Sequence, residues 1–316
     1  RRVSPKGPGA LSEGLVGPFV TTDLETLATA LYVKIDDSLA GSRRWGRPPT
    51  LTDAELLTLA VMQALLGFVS EARWLRFARA HLAAEFPYLP GQSGYNKRLR
   101  AASTLISKFI RTLARDTDLW HDDVWIVDST PVECARSRPT VKRSDLAGWA
   151  GYGYCPSHSR FFWGLRLHLV CTPGGLPIAW ALANPKTDER EVLADMLTGD
   201  QDLLATHPGQ TIVGDKGYVS KHLDAFIAAH GLTLLRPTYR NLTPRPGEHL
   251  LKPIRQLIES VNDTLKGQLD LERHGARTPA GVLTRVGQRI LAMTAAIWHN
   301  RNTGQAITRS LTAYDH

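Results

Sequence analysis

The sequence predicts a mixed α/β (α+β) protein, in which a helical N-terminal region precedes a sheet flanked by helices. Up to about residue 118, apolar residues recur with helical spacing. After it, short apolar runs typical of strands alternate with helical segments, and two of these runs flank the Gly-rich turn at 173–175. The 316 residues, 43% of them hydrophobic, suffice for about two domains with a sizeable core.

The N-terminal half contains several predicted helices. Thr22 is a plausible N-cap for the first, and Thr52 with Glu55 forms a capping box for the second, which ends at Gly67. The predicted helices cover 23–35, 53–66, 71–86 and 93–116, the last as one or two helices.

The last of these segments carries Lys97, Arg98 and Arg100 in its first turns. Two helices, a short Gly-containing turn and a third helix with basic and polar residues suit a helix-turn-helix that contacts DNA. The alternative is an ordinary helical bundle with a solvated basic face.

The C-terminal half alternates between strands and helices. The hairpin of 161–172 and 176–185 predicts an antiparallel pair that leads into a parallel section, and Thr187 is a plausible N-cap for the next helix. The predicted strands cover 123–132, 161–172, 176–185, 211–220 and 232–240. The predicted helices cover 188–207, 221–231 and 253–300, the last with a break at 278–279.

Charge is distributed unevenly along this basic chain, whose net charge is +8 and pI about 9.5. Residues 1–120 carry a net charge of +5, residues 121–235 carry −3 and residues 236–316 carry +6. Clustered carboxylates suit divalent cations, whereas Lys and Arg suit phosphates. The pattern favours an anionic partner such as nucleic acid, although charges that only solvate the surface would give the same counts.

The cysteines and the hydropathy exclude some classes of protein. The three cysteines have no C-x2-C spacing, which excludes a disulfide scaffold and indicates a reducing compartment. Apolar runs stay well below the ~20 residues of a membrane span. We therefore expect a soluble, cytoplasmic protein.

Two aspartates occupy equivalent positions in the predicted sheet. Asp128 follows the apolar run VWIV, and Asp215 follows TIVG. An ionised carboxylate at the end of a buried strand is costly unless a cation compensates it, and ligands bind at the carboxyl ends of strands in open α/β sheets. For either aspartate alone, a strand-end cap or turn residue is the common explanation; the pair indicates a cation site.

A third acid lies on a predicted amphipathic helix. Arg255, Glu259 and Lys266 follow the spacing R-x3-E-x6-K and share one face with Asn262. A surface ion pair would give the same spacing for Arg255 and Glu259.

Four motifs in order resemble a known family. They are DSTPV (128–132), GLRLHL (164–169), GDKGYVS (214–220) and R-x3-IE-x6-K (255–266). Over residues 120–300 the chain resembles bacterial insertion-sequence transposases of the DDE type, whose catalytic domain has an RNase H-like fold. The Tyr of the extended Y-x2-R-x3-E-x6-K signature falls at Lys252, so the role of that position stays open.

The resemblance implies a catalytic triad of Asp128, Asp215 and Glu259, which would hold two Mg²⁺ or Mn²⁺ ions. Two such ions, about 3.5–4 Å apart, activate the attacking oxygen and stabilise the leaving one. The implied partners are double-stranded DNA, in the form of terminal inverted repeats and target DNA, and a second copy of the chain, since joining two ends requires two active sites. The expected DNA contacts are Arg255, Lys266, Lys216, Lys97, Arg98, Arg100 and Arg166.

The expected domains are a flexible segment 1–20, a helical DNA-binding domain 21–118, an RNase H-like domain 119–302 and a tail 303–316. Trp149, Tyr152 and Tyr154 suit stacking on an unpaired base or packing of their loop. His168, on the same strand face as Arg166, either approaches the site or is structural.

Two further alternatives concern the function and the last helix. If the transposase interpretation fails, the alternatives are an RNase H-like nuclease without strand transfer and a DNA-binding repressor with a decayed catalytic domain. On the C-terminal helix, Arg277, Arg285 and Arg289 are candidates to follow a DNA backbone.

Overall fold

The structure is a computed structural model that describes residues 22–41, 46, 48–155, 159–238, 248, 251–307, 311 and 314. The side chains of residues 22 and 252 are outside this description. The predicted flexible segment 1–20 and part of the predicted tail also lie outside the described residues.

The N-terminal region is helical, as predicted. The capping box is confirmed, because the side chain of Thr52 accepts from the N–H of Glu55 and the side chain of Glu55 accepts from the N–H of Thr52. The helices are α1 (Thr22–Leu39), α2 (Asp53–Leu65), α3 (Glu71–His81), α4 (Gln92–Ala101) and α5 (Ser103–Arg115).

The third helix is shorter than predicted. It ends at His81, so residues 82–91 connect α3 to α4. A helix-turn-helix uses a turn of about 3–4 residues, and the short turn predicted here is therefore wrong. DNA binding by this region stays a prediction.

A six-stranded mixed sheet forms the second half. The strands are β1 (Val124–Ala135), β2 (Gly151–Cys155), β3 (Arg160–Cys171), β4 (Pro177–Ala183), β5 (Thr211–Val213) and β6 (Thr233–Leu235). Their order is β2-β3-β1-β5-β6, and β4 pairs with the second part of β3.

The directions of the strands agree with the sequence. Strand β3 is antiparallel to β1, β2 and β4, whereas β5 is parallel to β1 and β6. The predicted hairpin is thus confirmed, as is the parallel section. Gly164 on β3 lies where β1 bulges; a Cβ there would meet the carbonyl oxygen of Val132 at 2.0 Å, so only glycine allows this approach.

Helices cover the sheet and confirm the predicted fold class. They are α6 (Arg138–Arg143), α7 (Glu189–Thr198), α8 (Gln201–Thr206), α9 (Lys221–Ala229), α10 (Leu251–Asp263) and α11 (Pro279–Thr303). Strand β2 lies where we expected the loop that carries Trp149, Tyr152 and Tyr154, and α6 lies mostly in a segment for which we predicted neither a helix nor a strand. The break before α11 is longer than predicted. A π-helical turn over Thr264–Gln268 follows α10, and a left-handed Asp270 then precedes a 3₁₀ turn over Leu271–Arg273.

The segment predicted as one helix after the hairpin is two. Asp188, rather than Thr187, caps α7 through its side chain, which accepts from the N–H of Arg190. Asp200 caps α8 in the same way, by accepting from the N–H of Leu203. The cap formed by Asp200, directly after Gly199, explains why the predicted single helix is divided into α7 and α8.

Helix α11 joins the two halves of the chain. It packs against α2 and α5 of the N-terminal region and also contacts β4, within one continuous hydrophobic core. Arg285 and Arg289 on this helix are buried, at 8% and 5% exposure, and bond to Glu71 and to the carbonyl oxygen of Asp270. The expectation that these two arginines follow DNA is therefore wrong.

None of the described helices is both long enough and apolar enough to cross a bilayer.

Candidate active site

The two aspartates lie in equivalent positions beside each other. The parallel pairing of β1 with β5 ends at Ile126 and Val213, and Asp128 and Asp215 each follow two residues later. Strand β1 continues alongside β3, while the chain after β5 turns away. The chain therefore leaves β1 after Val213, next to both aspartates. Asp215 follows the carboxyl end of β5, as predicted, whereas Asp128 lies within β1, which runs on to Ala135.

The carboxyl of Asp128 is held in an unfavourable environment for a negative charge. Burial raises its pKa to about 6, and the charges of Asp215 and Glu189 act in the same direction. The N–H of Ser129 and the charge of Arg255 oppose this shift. A divalent cation would relieve this accumulation of negative charge.

Asp215 is held by the turn that follows β5. Its Oδ1 accepts a 2.7 Å hydrogen bond from the N–H of Gly217, in a 3₁₀ turn over Lys216–Tyr218. This bond holds the carboxylate of Asp215 next to the carboxyl end of β5. The neighbouring Lys216 is exposed.

Helix α10 approaches Asp128 from one face of the sheet. Asn262 donates from Nδ2 to Oδ2 of Asp128 at 2.9 Å. Arg255 and Glu259 share the helix face of Asn262 because they are seven and three residues before it. Glu259 is exposed and, with Arg255 and Gln256, lines an open cleft of about 320 Å³.

The other face of the sheet carries a polar network that sequence reasoning missed. Oε1 of Glu189, the first residue of α7, accepts from the hydroxyl of Ser129 at 2.6 Å and from Nη1 of Arg166 at 2.9 Å. Arg166 also donates to the Ser129 hydroxyl at 2.6 Å. The sequence places three acids near this helix start, where acids stabilise any helix, so nothing singled out Glu189.

Two buried polar side chains adjoin this network without partners. The hydroxyl of Tyr218 and both ring nitrogens of His168 have no hydrogen-bond partner among the described residues. Burial lowers the pKa of His168 to about 4, so its imidazole is neutral at pH 7. His168 lies opposite Ser129 across β1 and β3, on the same sheet face as Arg166.

The predicted DNA contacts fall into two groups. Lys97, Arg100 and Lys216 are exposed. Arg98 instead donates to Asp53 at 2.7 Å and to the carbonyl oxygen of Leu51 at 2.8 Å, which joins α4 to the start of α2.

The remaining cations lie near the candidate site. Arg166 takes part in the Glu189 network, and its Nη2 donates to the carbonyl oxygen of Tyr154 at 3.2 Å. Arg255 and Lys266 are half-buried on or just after α10. The side chain of Lys252, at the position of the signature Tyr, is outside the described residues.

The aromatic residues expected to stack or pack differ in exposure. Tyr152 and Tyr154 alternate along β2 with 53% and 44% exposure. Phe161, opposite Tyr154 on β3, is 77% exposed, and the two rings lie 5.0 Å apart. Trp149 packs partly against the core. An exposed aromatic patch thus lies on the β2–β3 ribbon next to Arg166.

The residues present fit a divalent cation by their chemistry. Carboxylates are the ligands that Mg²⁺ and Mn²⁺ prefer, and Asn262, which donates to Asp128, keeps a buried Oδ1 without a partner among the described residues. Within the described ranges, no three Asp, Glu, His or Cys side chains converge closely enough to hold a metal ion. The structure therefore brings Asp128 and Asp215 together and places Glu259 on the adjoining helix face, without closing the triad.

The comparisons with known proteins agree with this site. A family model described as the transposase DDE domain matches residues 120–278, and this chain belongs to that family. The match includes both aspartates, Glu259 and Glu189. Comparison with curated proteins and with solved structures finds no match.

Membership of the family gives the general function. It implies transposase-type activity on DNA, and transposases of this family generally use divalent metal ions. The resemblance drawn from the four sequence motifs is thereby confirmed.

Proposed function

We propose that this chain is the transposase of an insertion sequence, which binds terminal inverted repeats, cuts DNA at the element ends and joins a 3′-OH to target DNA. The observation that carries the proposal is the equivalent placement of Asp128 and Asp215, each two residues after the parallel pairing of β1 with β5 ends. Helix α10 is hydrogen-bonded to Asp128 through Asn262, which lies about one turn from Glu259.

In this proposal Asp128, Asp215 and Glu259 hold the divalent cations, with Asp128 between the other two. The cations supply activation of the attacking oxygen and stabilisation of the leaving oxygen. Asn262 keeps the carboxylate of Asp128 facing α10, and the N–H of Gly217 fixes that of Asp215. The protein itself forms no covalent bond to DNA.

Two displacements at phosphorus follow. In the first, a water oxygen bonds to phosphorus, the bond to the 3′ oxygen breaks, and a 3′-OH and a 5′-phosphate result. In the second, that 3′-OH oxygen bonds to a phosphorus of target DNA and displaces a 3′ oxygen there. Each step loses a proton from the attacking group and gains one at the leaving oxygen.

DNA binding in the proposal relies on the exposed cations. Lys97 and Arg100 on α4 and Lys216 at the site are free to meet phosphates, which release counterions when neutralised. We further propose that two copies of the chain assemble on DNA, because two ends are joined in one event.

A cleavage assay tests the proposal. The substrate is a labelled duplex that carries the DNA found immediately beside the gene, incubated with the full chain, Mg²⁺ or Mn²⁺ and a target plasmid. The proposal expects metal-dependent nicking at the element end and a joined product. Nicking without joining would identify a nuclease, and binding without nicking a repressor; both outcomes contradict the proposal.

A further inference from the structure

We propose that Glu189 is a fourth carboxylate of this active site, which binds the divalent cation from the sheet face opposite to Glu259. The inference rests on the proposed function, since it adds a ligand to the same site. It is argued from the position of Glu189 relative to the strand β1, to Asp215 and to a buried hydroxyl.

The two oxygens of Glu189 have different surroundings. Oε1 is occupied by the hydroxyl of Ser129 and by Arg166, at 2.6 and 2.9 Å. Oε2 has no hydrogen bond among the described residues and lies on the side of the Asp215 turn. An ion pair that served only to fix α7 would not require the second oxygen to face another carboxylate.

The carboxylates of Glu189 and Asp215 both lie close to Gly217. A point one bond length from the Cα of Gly217, where a Cβ would be, lies 2.9 Å from Asp215 Oδ1 and 3.4 Å from Glu189 Oε2. The two carboxylates thus flank the same glycine. Asp215 Oδ1 and Glu189 Oε2 are therefore at most about 6.3 Å apart, a range in which two negative charges repel each other unless a cation compensates them.

Asp128 lies on β1, between α10 on one face of the sheet and α7 on the other. Successive residues of a strand point to opposite faces, so Asp128 faces α10 and Ser129 faces α7. Glu259, on α10, and Glu189, on α7, therefore belong to helices on opposite faces of the sheet.

Tyr218 supplies an independent observation. Its side chain is fully buried, and its hydroxyl has no partner among the described residues. Tyr218 belongs to the 3₁₀ turn that begins after Asp215, and this turn packs against α7, which begins at Glu189. A buried hydroxyl without a partner indicates that a polar ligand, such as a cation with its water, completes this space.

The experiment measures Mn²⁺ binding to the full chain without DNA, by calorimetric titration, so the readout does not depend on turnover. Glu189→Gln keeps the size of the side chain and removes the charge. Glu191→Gln is the matched control, because Glu191 lies in the same first turn of α7 and is exposed. Thermal melting without metal checks the folding of each variant.

Loss of a carboxylate from the site should weaken Mn²⁺ binding at least about 10-fold in Glu189→Gln and leave it unchanged in Glu191→Gln. If Glu189→Gln does not fold, Glu189→Asp is the second variant. It keeps the negative charge near Arg166, but its shorter side chain withdraws the carboxylate from the proposed cation, so it should show the same loss of Mn²⁺ binding. Wild-type affinity in the folded Glu189 variant would overturn the inference.

Asp128→Asn separates this inference from the proposed function. If Asp128→Asn loses Mn²⁺ binding while the Glu189 variant retains it, only the role of Glu189 is wrong. If Asp128→Asn binds Mn²⁺ as tightly as the wild type, the metal site of the proposed function is itself wrong.

Discussion

Asn262 on α10 donates a 2.9 Å hydrogen bond from Nδ2 to Oδ2 of Asp128 on β1. The two residues are far apart in sequence, and the bond fixes which side of α10 faces the sheet. Because Glu259 lies three residues before Asn262, it is on the same side of α10. In the proposed triad, Asn262 is therefore a positioning residue for Asp128 and for the helix that carries Glu259.

Removal of the hydrogen bond between Asn262 and Asp128 should reduce cleavage activity more than stability. Asn262→Ala leaves Asp128 without its side-chain donor, and we expect a loss of about 10–100-fold in metal-dependent cleavage. The free energy of unfolding should fall by only about 1 kcal/mol. Asp263→Ala, at an exposed neighbouring position of α10, is the control and should cleave normally. Equal cleavage by the two variants would exclude the positioning role.

The raised pKa of Asp128 predicts a pH-dependent stability. The folded chain binds a proton at Asp128 up to pH about 6, whereas an unfolded aspartate releases it near 3.9. Stability therefore falls as the pH rises from about 4 to about 6, by up to ~3 kcal/mol, and stays reduced above this range. Asp128→Asn should remove the effect.

Urea unfolding in the presence of a chelator measures this difference. The Asn variant should be more stable than the wild type at pH 7.5, and the advantage should shrink below pH 4. A variant that is less stable than the wild type at pH 7.5 would show that the charge of Asp128 is compensated within the protein.

The cations of α4 should separate into structural and DNA-binding residues. Arg98→Ala breaks the bonds to Asp53 and Leu51 and should lower stability by about 1–2 kcal/mol. Lys97→Ala and Arg100→Ala should leave stability unchanged but weaken binding of the end duplex. Each should also reduce the salt dependence by about one released counterion. Unchanged salt slopes in both variants would remove α4 from the DNA interface.

The buried pair of Glu71 and Arg285 should be critical for stability. Both residues are 8% exposed, and Asn96 also donates to Glu71 at 2.7 Å. Glu71→Gln leaves a buried guanidinium without its counter-charge, which should cost about 3–5 kcal/mol in urea unfolding. Glu85→Gln, at an exposed position in the same region, is the control. A cost below about 1 kcal/mol would mean that water or other groups compensate Arg285.

Local patterns predicted β1, which carries Asp128, and β5, which ends two residues before Asp215, because alternating burial and turn residues act over a few positions. Asp128 and Asp215 were thus recognisable as a pair. The capping box of Thr52 and Glu55 was equally visible, since both partners lie within one helical turn.

Contacts between distant segments were not visible in the sequence. Glu189 joins Ser129 across 60 residues, and nothing in its own surroundings distinguishes it from Glu191. Arg285 and Arg289 looked like surface cations because their partners, Glu71 and the Asp270 carbonyl, come from other elements. Burial of charge depends on tertiary pairing, which a helical pattern does not encode.

The catalytic role of the three carboxylates is the central claim, and cleavage of a labelled end duplex by isosteric variants tests it most directly. Asp128→Asn, Asp215→Asn and Glu259→Gln remove one charge each with little change in size. Each variant should nearly abolish cleavage and joining with Mg²⁺ or Mn²⁺, yet fold and bind the end duplex like the wild type, with Asp128→Asn melting at a higher temperature, while Glu191→Gln cleaves normally. Near-wild-type cleavage by any one variant would remove that residue from the triad, and by two of them would contradict the transposase mechanism.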